Sequence, residues 1–237
     1  LWPDQPLGRS LTGSFRTIGA ITREQMLDFR RRNYVASSAL VAAAGRVRHA
    51  AVVRAASRYA RRFPAGPRPG FDPVDPRQTG PRVRLFTQAT AQTQMILGIR
   101  TCSRHDPRRH ALRVLNALLG ESMSSRLFQS LREDSGLAYS VHSGLSFFAD
   151  VGVMDIAVGL DARNLPRAIR LIQRELRRLT EELPGRAECR RAQDYLCGQI
   201  DLGLEGTENQ MMWLGDQFLA YGKILGPREA KRRVCAV

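Results

Sequence analysis

SSRLFQSLREDSGLAYSVHS, residues 124–143, forms the corner on which the fold turns. Its first half carries apolar residues at helical spacing, which predicts a helix from about Ser125 to Asp134. Gly136 breaks that pattern, and a strand is expected from Leu137 to Ser146. Two polar groups flank the break: Arg132 in the last helical turn and Tyr139 just inside the strand. Spacing alone leaves two readings open. The guanidinium and the phenol can grip a peptide carbonyl, or stabilise an oxyanion formed beside a metal supplied elsewhere. Alternatively, Arg132 complements the helix dipole and Tyr139 packs on the apolar strand face with Leu137 and Val141.

Working outward, a second strand is expected at 151–160, joined to the first near Ala149-Asp150. Met154, Ile156, Val158 and Leu160 alternate there with Val153, Asp155, Ala157 and Gly159. One face is strongly apolar and the other mixed, as in a sheet covered by helices on one side. Upstream, RVRLFTQ (82–88) and TQMILGIRT (93–101) read as strands, and a helix runs from about Pro107 to Leu119, ended by Gly120. Downstream, helices are expected at about 163–182, 186–204 and 207–221, broken at Pro184-Gly185 and near Gly206. Strands followed by helices point to an α+β layer, mostly antiparallel, with helices on one face.

The first sixty residues read α–β–α. Thr22 opens a capping box with Gln25, and its helix runs to about Arg32. ALVAAAG (39–45) reads as a buried strand, and a helix follows over about 49–62. Residues 63–81, FPAGPRPGFDPVDPRQTGP, hold six of the chain's twelve prolines, a density that blocks helix and central strand alike. The expected organisation is a first part over 1–63, a Pro/Gly-rich linker over 64–81 and a second part over 82–237.

A net charge of +15 raises the question of nucleic acid. However, only Lys223 and Lys231 are lysines, the arginines are spread over every expected helix, and no aromatics interleave with them as a base-stacking groove requires. Nucleic acid is therefore excluded as the expected partner. No apolar run is long enough for a membrane span. The chain begins with Leu1 and no signal-peptide pattern follows, so a cut piece or a mature product is expected. A soluble chain is expected, with bacterial cytoplasm or periplasm as the candidate compartments and the sequence choosing neither. Cys102, Cys189, Cys197 and Cys235 form no C-x-x-C pair and read as buried free thiols.

No complete catalytic constellation is present. His105 and His110, in HDPRRH, are five residues apart with a proline between them; neither H-E-x-x-H nor H-x-x-E-H occurs. His49 and His142 lack ligand-like companions. G-x-S-x-G, the P-loop pattern and G-x-G-x-x-G are all absent. No metal ligand and no cofactor site is expected in this chain.

The stretch SSRLFQSLREDSGLAYSV (124–141) nevertheless resembles the signature in the second domain of the M16 zinc peptidases, the pitrilysin/insulinase family, especially its mitochondrial-processing-peptidase-like branch. QTQMILGIR (92–100) and ALRVLNALLGESMSSRLF (111–128) are similar to that domain's strand and preceding helix. Residues 5–47 resemble the close of the family's first domain, and 201–225 the helical pair near the end of the second. Gly120-Glu121 stands where the family usually has two glycines.

The resemblance implies an M16/LuxS-like metallohydrolase-type fold, with two homologous domains closing as a clamshell around extended peptide. It implies zinc held by an inverted H-x-x-E-H helix, with a further glutamate, in a first domain or a partner subunit. It also implies that Arg132 and Tyr139 contact the substrate. Two functions follow as expectations. One is the substrate-binding, metal-free part of a zinc metalloendopeptidase, inactive by itself. The other is a non-catalytic structural or partner subunit of a homo- or heterodimeric assembly.

Overall fold

The computed structural model describes residues 1–237. Its helices are α1 (Phe15–Gly19), α2 (Arg23–Asn33), α3 (His49–Ala60), α4 (Arg109–Asn116), α5 (Leu165–Glu181), α6 (Arg186–Gly203), α7 (Thr207–Tyr221) and α8 (Pro227–Cys235). Its strands are β1 (Thr93–Thr101), β2 (Ala138–Phe147) and β3 (Gly152–Leu160). They sort into two compact units. A sheet unit comprises Leu1, 76–202 and 226–237; a helical unit comprises 2–75 and 203–225. The second unit thus takes α7 from the middle of the sequence that builds the first.

In the sheet unit the three strands are antiparallel in the order β1-β3-β2. The central strand explains the layering. Its Met154, Ile156, Val158 and Leu160 are buried, packing with Leu119, Leu127, Leu131, Ala168 and Ile172 from the helical side. Val153, Asp155 and Ala157, on the other face, are only half-buried. The expected α+β fold with helices on one face is what the chain forms. A smaller core joins Val114, Ala117 and Leu118 to Ala192 and Leu196 of α6 and Val234 of α8.

The helix before the corner does not stop at Gly120 as the sequence suggests. It continues as a π-helical turn over Ala117–Glu121. A Cβ at Gly120 would lie 2.9 Å from the Ser143 Cβ, so the glycine lets this turn lie directly against β2. Asn116 donates from Nδ2 to Glu121 at 2.7 Å, and the Ser143 hydroxyl donates to the Asn116 carbonyl at 3.3 Å. α8 is an addition to the elements expected from the sequence; Gly226 precedes it and Pro227 occupies its first turn.

In the helical unit the Thr22 capping box is present as expected. The Gln25 N–H donates to Thr22 Oγ1 at 3.3 Å, and the Thr22 N–H to Gln25 Oε1 at 3.0 Å. Two expected strands do not form. ALVAAAG (39–45) and, in the sheet unit, RVRLFTQ (82–88) pair with no neighbour. Val83, Leu85 and Phe86 are 93, 87 and 84% exposed. An apolar alternation supplies a face, but a strand also needs a partner backbone to satisfy its N–H and C=O groups.

Candidate functional site

The corner at 124–143 is built by backbone hydrogen bonds. A short helical stretch, π-helical over Phe128–Glu133, carries Leu131 and Arg132 to its end. Gly136 then adopts φ +57°, the left-handed conformation glycine takes without a Cβ penalty. Its N–H donates to the Arg132 carbonyl at 3.2 Å, and the Leu137 N–H donates to the Leu131 carbonyl at 2.9 Å. The first bond is that of an αL cap, while the second closes a ring one residue wider than a Schellman motif, in keeping with the π-helical turn it ends; the Leu131 and Leu137 side chains both lie in the main core. Asn164, in a short 3₁₀ turn before α5, donates from Nδ2 to the Leu137 carbonyl at 3.3 Å and fixes the first residue beyond the corner.

Tyr139 stands where it does because of a second device. Ala138 lies opposite Leu160, and Ser140 lies opposite Gly159, so Tyr139 is the extra residue of a β-bulge. Without the bulge, alternation would place Tyr139 on the same face as Leu137 and Val141. With it, Leu137, Ala138 and Val141 are buried while Tyr139 and Ser140 both point out, Tyr139 at 61% exposure. The reading in which Tyr139 packs against Leu137 and Val141 is therefore corrected.

Arg132 is exposed, with its guanidinium carbon 5.0 Å from the centre of the Phe128 ring. That contact steers the head without consuming its hydrogen-bond donors. Arg132 and Tyr139 share the corner but are not joined by a hydrogen bond. Tyr139 acts electrostatically on Arg163. Arg163 donates to both oxygens of Asp161, at 3.2 and 2.8 Å. That side chain, together with the Arg163 backbone N–H, holds the Asp161 carboxyl down to about 2. Sequence reasoning missed Arg163, because its proximity depends on the Asn164 clamp and not on a local motif.

The chemistry available at the corner is donation. The Arg132 guanidinium and the Tyr139 phenol are exposed donor groups, whereas the Arg163 guanidinium is taken up by Asp161. The corner's Asp161 is already occupied by Arg163. Zinc does not fit the chain's own residues, for no group of three or more His, Cys, Asp or Glu side chains could hold a metal ion among the described residues. No helix is long and apolar enough to cross a membrane.

The chain as a whole is similar to known proteins. A model of the peptidase M16 inactive domain matches residues 20–196. A protein named an uncharacterized zinc protease in Mycobacterium tuberculosis is 39% identical over 229 residues, covering 94% of this chain and 52% of its own length. A Streptomyces coelicolor protein of the same description is 35% identical over 243 residues, covering 100% of this chain and 53% of its own length. The chain thus spans about half the length of the curated relatives it matches. Among solved structures, an M16 inactive domain from Pseudomonas fluorescens aligns with a TM-score of 0.85 at 21% identity, over 100% of this chain and 57% of that one. A chain of complex III2 from Candida albicans aligns at 0.87 and 16% identity, over 98% and 57%. At these identities the structural likenesses establish the fold alone.

Proposed function

The chain belongs to the peptidase M16 family, matching its inactive domain, and from that premise we propose that it is the substrate-gripping part of a zinc-dependent peptidase. The observation that carries the proposal is the corner itself. A glycine-capped turn and a bulge present two donor heads to solvent, and neither the Arg132 nor the Tyr139 side chain is hydrogen-bonded away. Arg132 orients the carbonyl of a bound peptide, and Tyr139 donates its O–H to the same group as charge develops there.

Extended peptide is the proposed substrate form. β1 and β2 are the outer strands of the sheet, and outer strands offer backbone N–H and C=O groups to an added strand. In the same reading residues 1–63 close a first M16-like domain, 64–81 link it onward, and 82–237 form most of the second. The zinc to which the relatives' names refer is assigned to residues outside this chain, in a first domain or on the partner of a homo- or heterodimer. It would supply the activated water for hydrolysis.

The test is made in the full-length protein that contains this segment, assayed on unfolded peptide. Arg132→Ala and Tyr139→Phe are each expected to lower kcat/KM by about 10–1000-fold with the fold retained. Losses below about twofold, or an intact protein with no peptidase activity at all, overturn the proposal. The latter result supports the structural-subunit reading.

A further inference from the structure

We infer that Cys197 and Cys235 form a dithiol site that a peroxide converts into an intrachain disulfide, stapling α8 to α6. This goes beyond the peptidase reading and does not depend on it. The two sulfurs lie 3.7 Å apart, and both cysteines are free thiols. A disulfide needs about 2.05 Å, so closure asks for a movement of under about 2 Å.

The pair is held in place by its surroundings. Leu196 and Val234, the residues immediately before each cysteine, are buried in the same small core. Along α6, one turn to either side of Cys197, Gln193 donates to the Val234 carbonyl at 3.4 Å, and Asp201 pairs with Lys231 at 2.7 Å. Three cross-links one turn apart therefore run between the two helices, and the sulfur pair is the middle one. Cys235 is exposed and Cys197 half-buried, so oxidant reaches Cys235 first. Burial, with the Cys235 thiol beside it, pushes the Cys197 thiol up to about 11, which fits the later, resolving role.

The chemistry balances with hydrogen peroxide as oxidant. The Cys235 thiolate attacks one peroxide oxygen, the O–O bond breaks, and a sulfenic acid forms as hydroxide leaves and is protonated to water. The Cys197 sulfur then attacks the Cys235 sulfur, gives up its proton and displaces a second water. Two thiols and one peroxide become one disulfide and two waters. Cys102 and Cys189 have no thiol partner at comparable distance, so they are not part of the site.

Hydrogen peroxide is titrated onto the purified protein, free thiols are blocked with iodoacetamide, and peptides are mapped by mass spectrometry without reduction. The expected product is a cross-linked pair containing Cys197 and Cys235, lighter by two hydrogens, reversed by dithiothreitol. A rise in the melting temperature of about 5–10 °C accompanies it. Cys102→Ser and Cys189→Ser leave both signals in place, whereas Cys197→Ser and Cys235→Ser abolish them. Oxidation that stops at sulfinic acid on Cys235 while Cys197 remains alkylatable overturns the inference, as do cross-links only between separate chains. If a serine variant fails to fold, the peptide map of the unmodified sequence decides alone.

Discussion

The sheet unit and the helical unit are both rich in helix, yet only one of them seals its apolar faces. Around β3, twelve residues from strands and helices form one buried cluster. Among residues 2–75 and 203–225, only Trp2 and Val35 are buried hydrophobics. Met26 and Phe29 of α2, Tyr59 of α3 and Met212 of α7 are all exposed. The difference teaches what a helix needs. A capped, well-formed helix such as α2 satisfies its own backbone, but its apolar stripe contributes little until another layer covers it.

The sharpest way to break this comparison is a pair of truncations measured by denaturant unfolding. Leu131→Ala, in the sealed core, is expected to cost about 2–5 kcal/mol. Phe29→Ala, on the open face of α2, should stay within about 0.5 kcal/mol. Similar values at both sites would erase the distinction. A smaller loss tests the ion pair that ties the corner helix to α6. Arg126 donates to both oxygens of Glu188 at 2.7 and 2.8 Å, with both side chains largely covered. Arg126→Ala is expected to cost about 2 kcal/mol, read in the same experiment.

Gly136→Ala should cost about 1–2 kcal/mol, since a Cβ is strained at its positive φ although no neighbour crowds it. A result near zero would mean the corner relaxes and is not fixed by its backbone. The smallest effect concerns acid. His110, on α4, is pushed down from 6.5 to about 4 by burial and by Arg109, Arg113 and Arg233. Its unfolded form therefore binds the proton more readily than its folded form, so the stability it contributes is complete above about pH 6.5 and declines as pH falls toward 4. Thermal melts across that window should show a decline in the sheet unit that His110→Gln flattens.

How much of this was legible in the sequence depended on how local each signal was. The Thr22 capping box, the β2 and β3 strands, and α5 to α7 follow from periodicity and punctuation within a few residues. Gly136 marked the corner correctly for the same reason. ALVAAAG and RVRLFTQ misled because their apolar pattern says nothing about whether a partner strand lies alongside. The outward turn of Tyr139 was not legible either, since a bulge is defined by the register of β3 opposite it. Arg132 and Tyr139 were nameable from family resemblance; Arg163 became visible only in three dimensions. The pairing of Cys197 with Cys235 waited on α8, whose Gly226-Pro227 start was the available clue.

The corner also separates architecture from chemistry. Leu131, Gly136 and Leu137 hold its shape through backbone bonds and buried contact, while the side chains of Arg132 and Tyr139 bear none of that weight. Evolution can therefore retire or replace the side chains at positions 132 and 139 without losing the scaffold, and a designer can graft new ones there. Such a corner can outlive any activity built on it, persisting in descendants that keep the shape and have abandoned the reaction.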